Sequence, residues 1–129
     1  MTTRLLPLSF VLLVGCHLAP DPEEWNQADF GPPPSNQEAL IAQYFELVLF
    51  DPGSLRLSNM NVPSKAWYHP GALSGTTYGW GSVGFVNTKN RFGGYTGAKP
   101  FEFFFRNGTC VYAGDLSELN TRYVGFAPE

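Results

Sequence analysis

The residues best suited to chemistry lie in one run, NTKNRFGGYTGAKPF at 87–101. Lys89, Arg91 and Lys99 place cations beside the Tyr95 ring, with Phe92 and Phe101 flanking. Cations held against aromatic rings can grip an anion such as a charged glycan, a lipid headgroup or an acidic protein surface. The same run also reads as a structured hairpin connection with a solvated basic face. Asn87 and Asn90 bond readily to backbone two residues on, and Gly93, Gly94 and Gly97 permit positive φ. Phe92 and Tyr95 are expected to anchor this loop on a sheet edge.

Other reactive groups are sparse. His69 stands in His-Pro-Gly, a turn context, and a triad through Ser74 or Ser82 has no nucleophile elbow to support it. Besides His17 it is the only histidine, so no zinc set can be assembled with Cys110. Gly79-Trp80-Gly81-Ser82-Val83-Gly84 fits the dinucleotide glycine pattern by letter, but a β-like run follows it where a helix is required. Asn107-Gly108-Thr109 is a sequon by letter and a hairpin turn by context. These residues argue against catalysis, and no metal or cofactor is expected. Trp67, Tyr68, Tyr78 and Trp80 read as core and edge packing more simply than as a sugar-stacking platform.

The elements that position these residues are legible in part. Residues 17–34 show no hydrophobic period and end in Gly31-Pro32-Pro33-Pro34, the pattern of a flexible spacer with a stiff end. Phe30 is expected to rest on the domain, while Trp25 could equally meet lipid. Ser35 to Glu38 fits a capping box, and Leu40, Ile41, Tyr44, Phe45, Leu47 and Val48 recur at helical spacing until Asp51-Pro52 stops the helix. Leu55-Arg56-Leu57-Ser58 alternates, and Val83 to Val86 forms a strand core. FEFFFRNGTCVYA is a hairpin about the favoured Asn-Gly pair. Its simplest register sets Phe105 opposite Cys110 and Phe103 opposite Tyr112 on one face, with Glu102, Arg106 and Thr109 on the other. Leu116 to Leu119 suits one helical turn. The expected fold is α+β: one amphipathic N-terminal helix on an antiparallel sheet of three or four strands, spanning 35–129.

Charge is divided. The net value is −3, yet Asp21 to Asp51 holds seven acids and no Lys or Arg, while Lys89, Arg91, Lys99 and Arg106 face only Glu102 across 87–106. One basic patch at an acidic chain's far end is not a nucleic-acid footprint.

At the N-terminus Arg4 precedes an apolar run from Leu5 to Gly15, the layout of a secretory signal peptide at 1–15 and too short for a membrane span. Leu13-Val14-Gly15-Cys16 resembles the bacterial lipobox. That resemblance implies acylation of Cys16, with 16–34 as a lipidated spacer. Several acyl chains hold a protein durably on a bilayer. His17 after the cysteine implies the outer membrane, facing the periplasm, in a Gram-negative cell. Cys110 is then left without a partner, and its apolar strand predicts burial.

The helix end Leu49-Phe50-Asp51-Pro52-Gly53-Ser54, Tyr78-Gly79-Trp80, and Asn87-x-Lys89-Asn90-x-Phe92-Gly93-Gly94-Tyr95-x-Gly97 before Pro100-Phe101 together resemble a widespread group of small bacterial secreted proteins and lipoproteins. The likeness runs over about residues 40–112 and implies a fold and a compartment, but no reaction. The expectation is a lipid-anchored envelope binding module, with peptidoglycan or an envelope protein as partner. Two rivals are an inhibitor of an enzyme such as lysozyme and an envelope hydrolase built on His69. The first rests on Ser74-Gly75-Thr76-Thr77-Tyr78, which resembles the inserting loop of membrane-bound lysozyme inhibitors.

Overall fold

The computed structural model describes residues 19–71 and 75–127. Helices α1 (Pro22–Gln27) and α2 (Gln37–Glu46) precede a 3-10 turn at Pro52–Ser54. Strands β1 (Arg56–Ser58), β2 (Ser64–His69), β3 (Thr77–Asn87), β4 (Lys99–Arg106), β5 (Thr109–Asp115) and β6 (Tyr123–Phe126) complete the chain. They make one antiparallel sheet in the order β5-β4-β3-β2-β6, with β1 also paired to β3. The fold is α+β, and the described residues form six strands rather than three or four and two short helices rather than one. Among the described residues no helix is long and apolar enough to cross a membrane.

The extra strands are β2 and β6. The last four residues of β2, Ala66 to His69, are all buried, so its sequence lacks the period-two alternation that marks a half-buried strand. Trp67 and Tyr68 consequently point to opposite faces, which divides the expected aromatic cluster. β1 and β2 share the same edge of β3, and Asn61 fills the gap between them. Its N–H donates to the Val83 carbonyl (3.1 Å) while its Oδ1 accepts from Val83 N–H (2.8 Å).

Both faces of the sheet are covered. On one, Ile41 and Phe45 of α2 pack on Val86, Phe103, Phe105 and Cys110. On the other, Ala66, Tyr68, Phe104, Tyr112 and Val124 form a second cluster, with Tyr68 stacked against Phe104 and Tyr112 at 5.2 and 5.0 Å. The sheet curls to enclose this cluster. A β-carbon at Gly79 would lie 2.4 Å from the Phe105 carbonyl oxygen, so only glycine lets the strands close up there. Glu102 of β4, 7% exposed, reaches across and accepts from Val124 N–H of β6 at 3.1 Å.

The hairpin turn has positive φ at Asn107 (51°) and Gly108 (73°), as a type I′ pair requires. Phe105 faces Cys110 as expected. A β-bulge then shifts the register, so Tyr112 lies opposite Phe104 and Phe103 opposite Ala113. Phe103 and Tyr112 therefore serve different faces. One extra residue on a strand moves everything beyond it by one step, and a two-residue side-chain period turns that into a change of face.

Helix α2 departs from expectation at both ends. Asn36, not Ser35, is the N-cap, its Oδ1 accepting from Ala39 N–H at 3.2 Å. The helix stops at Glu46, leaving Leu47 (89% exposed), Val48 and Phe50 in solvent while Leu49 packs on the core. The helix ends before the Asp51-Pro52 restriction applies: Leu47 and Val48 N–H donate to the Tyr44 and Phe45 carbonyls, both at 3.2 Å, which tightens the last turn to three-residue spacing. Leu116 to Leu119 forms a turn capped by Asp115, whose carboxylate accepts from Ser117 N–H at 2.8 Å, rather than a helical turn.

The segment expected to be spacer is also corrected. Pro20 is buried, and Asp21 caps α1 by accepting from Glu24 N–H at 2.8 Å. Asp-Pro-Glu-Glu is a strong helix start, with proline at N1 and acids in the first turn. Phe30, 7% exposed, meets Trp25 (4.7 Å) and Tyr78 (5.7 Å) edge-on. Trp80 Nε1 donates to the Gly31 carbonyl at 3.0 Å, and Arg106 donates to the Asp29 carbonyl at 2.9 Å. Phe30 rests on the domain as expected, and Trp25 joins it.

Candidate functional site

The loop between β3 and β4 is built by its own asparagines. Asn87, the last residue of β3, accepts from Gly97 N–H through Oδ1 at 3.0 Å. Asn90 Oδ1 accepts from both Phe92 N–H (3.0 Å) and Gly94 N–H (3.2 Å). Backbone bonds from Asn90 to the Gly94 carbonyl (2.9 Å) and from Gly93 to the Asn90 carbonyl (3.0 Å) close the tip. Gly93 and Gly97 sit at φ of 82° and 97°, where a side chain would be strained. Lys89 and Tyr95 form an isolated bridge below that tip.

A second element locks this loop in place. The Ser54 hydroxyl, buried in the 3-10 turn, donates to the Asp51 carbonyl at 2.7 Å and accepts from Lys89 N–H at 3.0 Å. Above it, the Arg56 guanidinium of β1 lies 3.9 Å from the Tyr95 ring centroid, and Lys89 Nζ lies 5.4 Å from it. Two cations therefore share one ring, each drawn to the negative charge of its π-face.

The expected site residues divide accordingly. Lys89 and Tyr95 are brought together, and Arg91 stands exposed nearby on the tip. Lys99 is separate: it pairs with Asp115 at 3.9 Å on the β4–β5 side. Phe92 does not anchor the loop on the sheet and is 89% exposed. The two asparagine carbonyls already satisfy the tip, so no aromatic anchor is needed. Ser54 and Arg56 were missed. Arg56 occupies the outward position of the Leu55-Arg56-Leu57 alternation, which marked it as exposed but not as a neighbour of Tyr95.

His69 ends β2, buried and tilted against Tyr123 at 5.5 Å. Ser82 is buried in the middle of β3. By ladder register the two lie six residues apart, about 20 Å at about 3.3 Å per residue. Ser74 falls outside the described residues, as does Cys16. Cys110 is buried as expected, its Sγ 3.5 Å from the Tyr112 carbonyl, and burial pushes its thiol up to about 12. Such a thiol holds its proton and is a poor nucleophile. Among the described residues no three His, Cys, Asp or Glu side chains gather as a metal site.

Depressions flank the sheet among the described residues. One of about 540 Å³ is lined by Glu24, Gln27, Ala28, Thr76 and Tyr78 between α1 and the start of β3. A smaller one of about 210 Å³ lies between α2 and the β4–β5 hairpin. No protein-family model, curated protein or solved structure matches this chain.

Proposed function

We propose that this chain is a lipid-anchored bacterial envelope protein whose domain works as a binding module through the 87–99 loop. One observation carries the reading: a loop of eleven residues between β3 and β4 is held rigid from three directions, yet presents Arg91 and Phe92 outward. Rigidity costs conformational entropy during folding and returns it at binding, because a preordered loop loses little more when a partner arrives. The lipobox-like Leu13-Val14-Gly15-Cys16 supports the anchor and the compartment. The expected partners are peptidoglycan or another envelope protein.

Cosedimentation of residues 17–129 with purified peptidoglycan sacculi tests this at low and moderate salt. Replacing Lys89 and Arg91 together by Ala removes one half-buried and one exposed charge of about 0.5–1 kcal/mol each, so binding should weaken about 5–30-fold. Lys99→Ala should change little, since Asp115 already occupies that cation. Pelleting that is unaltered by the double change and by salt would sink the loop as the binding surface. Undiminished lysozyme activity in the presence of the domain would remove the inhibitor reading.

A further inference from the structure

We infer that the lipid-anchored protein holds its 88–98 loop at the pole facing away from its own membrane, as a contact for the anionic peptidoglycan layer. This rests on the anchor and the binding loop proposed above, and adds to them a direction and a choice of partner.

The leash is short. The chain is already buried at Pro20, so four Cα steps separate Cys16 from the fold, a reach of at most ~14 Å at about 3.5 Å per residue. Residues 25–31 are pinned to one pole. Trp25 and Phe30 pack on Tyr78, Gly31 is held by Trp80, and Asp29 is held by Arg106. Tyr78 and Trp80 begin β3, and Arg106 ends β4. The loop leaves β3 at its other end, after Asn87, and returns into the start of β4 at Lys99. Nine residues from Tyr78 to Asn87 span about 30 Å at about 3.3 Å per residue. That is about twice the leash. Releasing more leash would require withdrawing Pro20 from its buried site and then unwinding α1, which lifts Trp25 off Phe30 and Tyr78.

Charge is arranged along the same axis. The anchored pole carries Asp21, Glu23, Glu24 and Asp29 against Lys65 and Arg106, while the far pole carries Arg56, Lys89 and Arg91 against Asp51. A basic, rigid tip set far from the anchor suits a charged polymer lying beyond the membrane, where attraction draws the two together over about one Debye length.

The test uses the full lipid-modified chain in phosphatidylcholine vesicles that contain a headgroup-labelled quencher lipid. An environment-sensitive fluorophore is attached at Phe92→Cys or at Gln27→Cys, both exposed positions. The expected result is quenching at 27 and its absence at 92; with unlabelled protein that keeps Phe92, sacculi should pellet the vesicles only when Lys89 and Arg91 are intact. Equal quenching at both positions would overturn the orientation and give the loop to the lipid surface. A dark 27 and bright 92 without pelleting would keep the orientation and overturn the glycan partner. A Cys16 lacking acyl mass, with no quenching anywhere, would refute the anchor on which both depend.

Discussion

Asn90→Ala isolates what makes the 88–98 loop rigid. The substitution removes one oxygen that accepts from Phe92 N–H at 3.0 Å and Gly94 N–H at 3.2 Å. It leaves the backbone bonds at the tip and the Ser54–Lys89 brace in place. Each hydrogen bond contributes about 0.5–1.5 kcal/mol net, and these two are exposed, so water replaces part of the loss. The closed loop should therefore lose about 1–2 kcal/mol relative to its open forms, a factor of about 5–30 in opening. Native-state amide exchange reads this directly as faster exchange at Phe92 and Gly94, while β3 and β4 amides and the global melting temperature stay put. Asn90→Asp keeps the acceptor and should retain most of the protection. If the loop binds through its preordered form, affinity for sacculi should fall only as the closed fraction falls, and so by less than the change in opening while the closed form dominates. Unchanged exchange at both amides in Asn90→Ala would refute the claim that asparagine carbonyls order the tip. Equal loosening in Asn90→Asp would refute it as well.

Two further outcomes are expected. Burial raises the Glu102 carboxyl above its ordinary 4.5, and Val124 N–H offsets only part of that. The folded state then holds the proton more tightly than the unfolded chain, so stability should fall as pH rises from 4.5 through the folded value. Tyr112 faces the same carboxyl but stays neutral there, being raised to about 12 mainly by its own burial. Glu102→Gln keeps the Oε1 acceptor and should flatten this slope in urea unfolding measured across the window; a parallel slope in both proteins would reject the assignment. Phe30→Ala should cost about 3 kcal/mol, the low end for a buried phenylalanine, and lower the melting temperature by about 10 °C or more. A melting temperature within a degree of wild type would return residues 20–31 to the role of a spacer.

The parts of the fold that sequence determined are those written in neighbouring residues. Asn107-Gly108 sets a type I′ turn because both residues tolerate positive φ, and the hairpin forms around it. Asn87, Asn90 and the glycines of 93–97 specify their own turn because each bond spans ten residues or fewer. The helix stripe at Leu40, Ile41, Tyr44 and Phe45 meets the sheet as its spacing required. The mixed α+β class arose from these pieces.

Tertiary structure decided what depended on which surfaces meet. Phe30 lies 48 residues from Tyr78 and Arg56 lies 39 from Tyr95, so neither contact leaves a periodic trace in sequence. β2 loses its alternation because curling of the sheet buries both of its faces. The bulge at Phe104/Phe105 sends Tyr112 to the second cluster, a one-residue shift that no hydrophobic pattern announces. Local hydrogen bonds are encoded by residue type, whereas long-range partners are selected only when whole faces pack. That is why the loop's shape was legible in advance and its neighbours Ser54 and Arg56 were not.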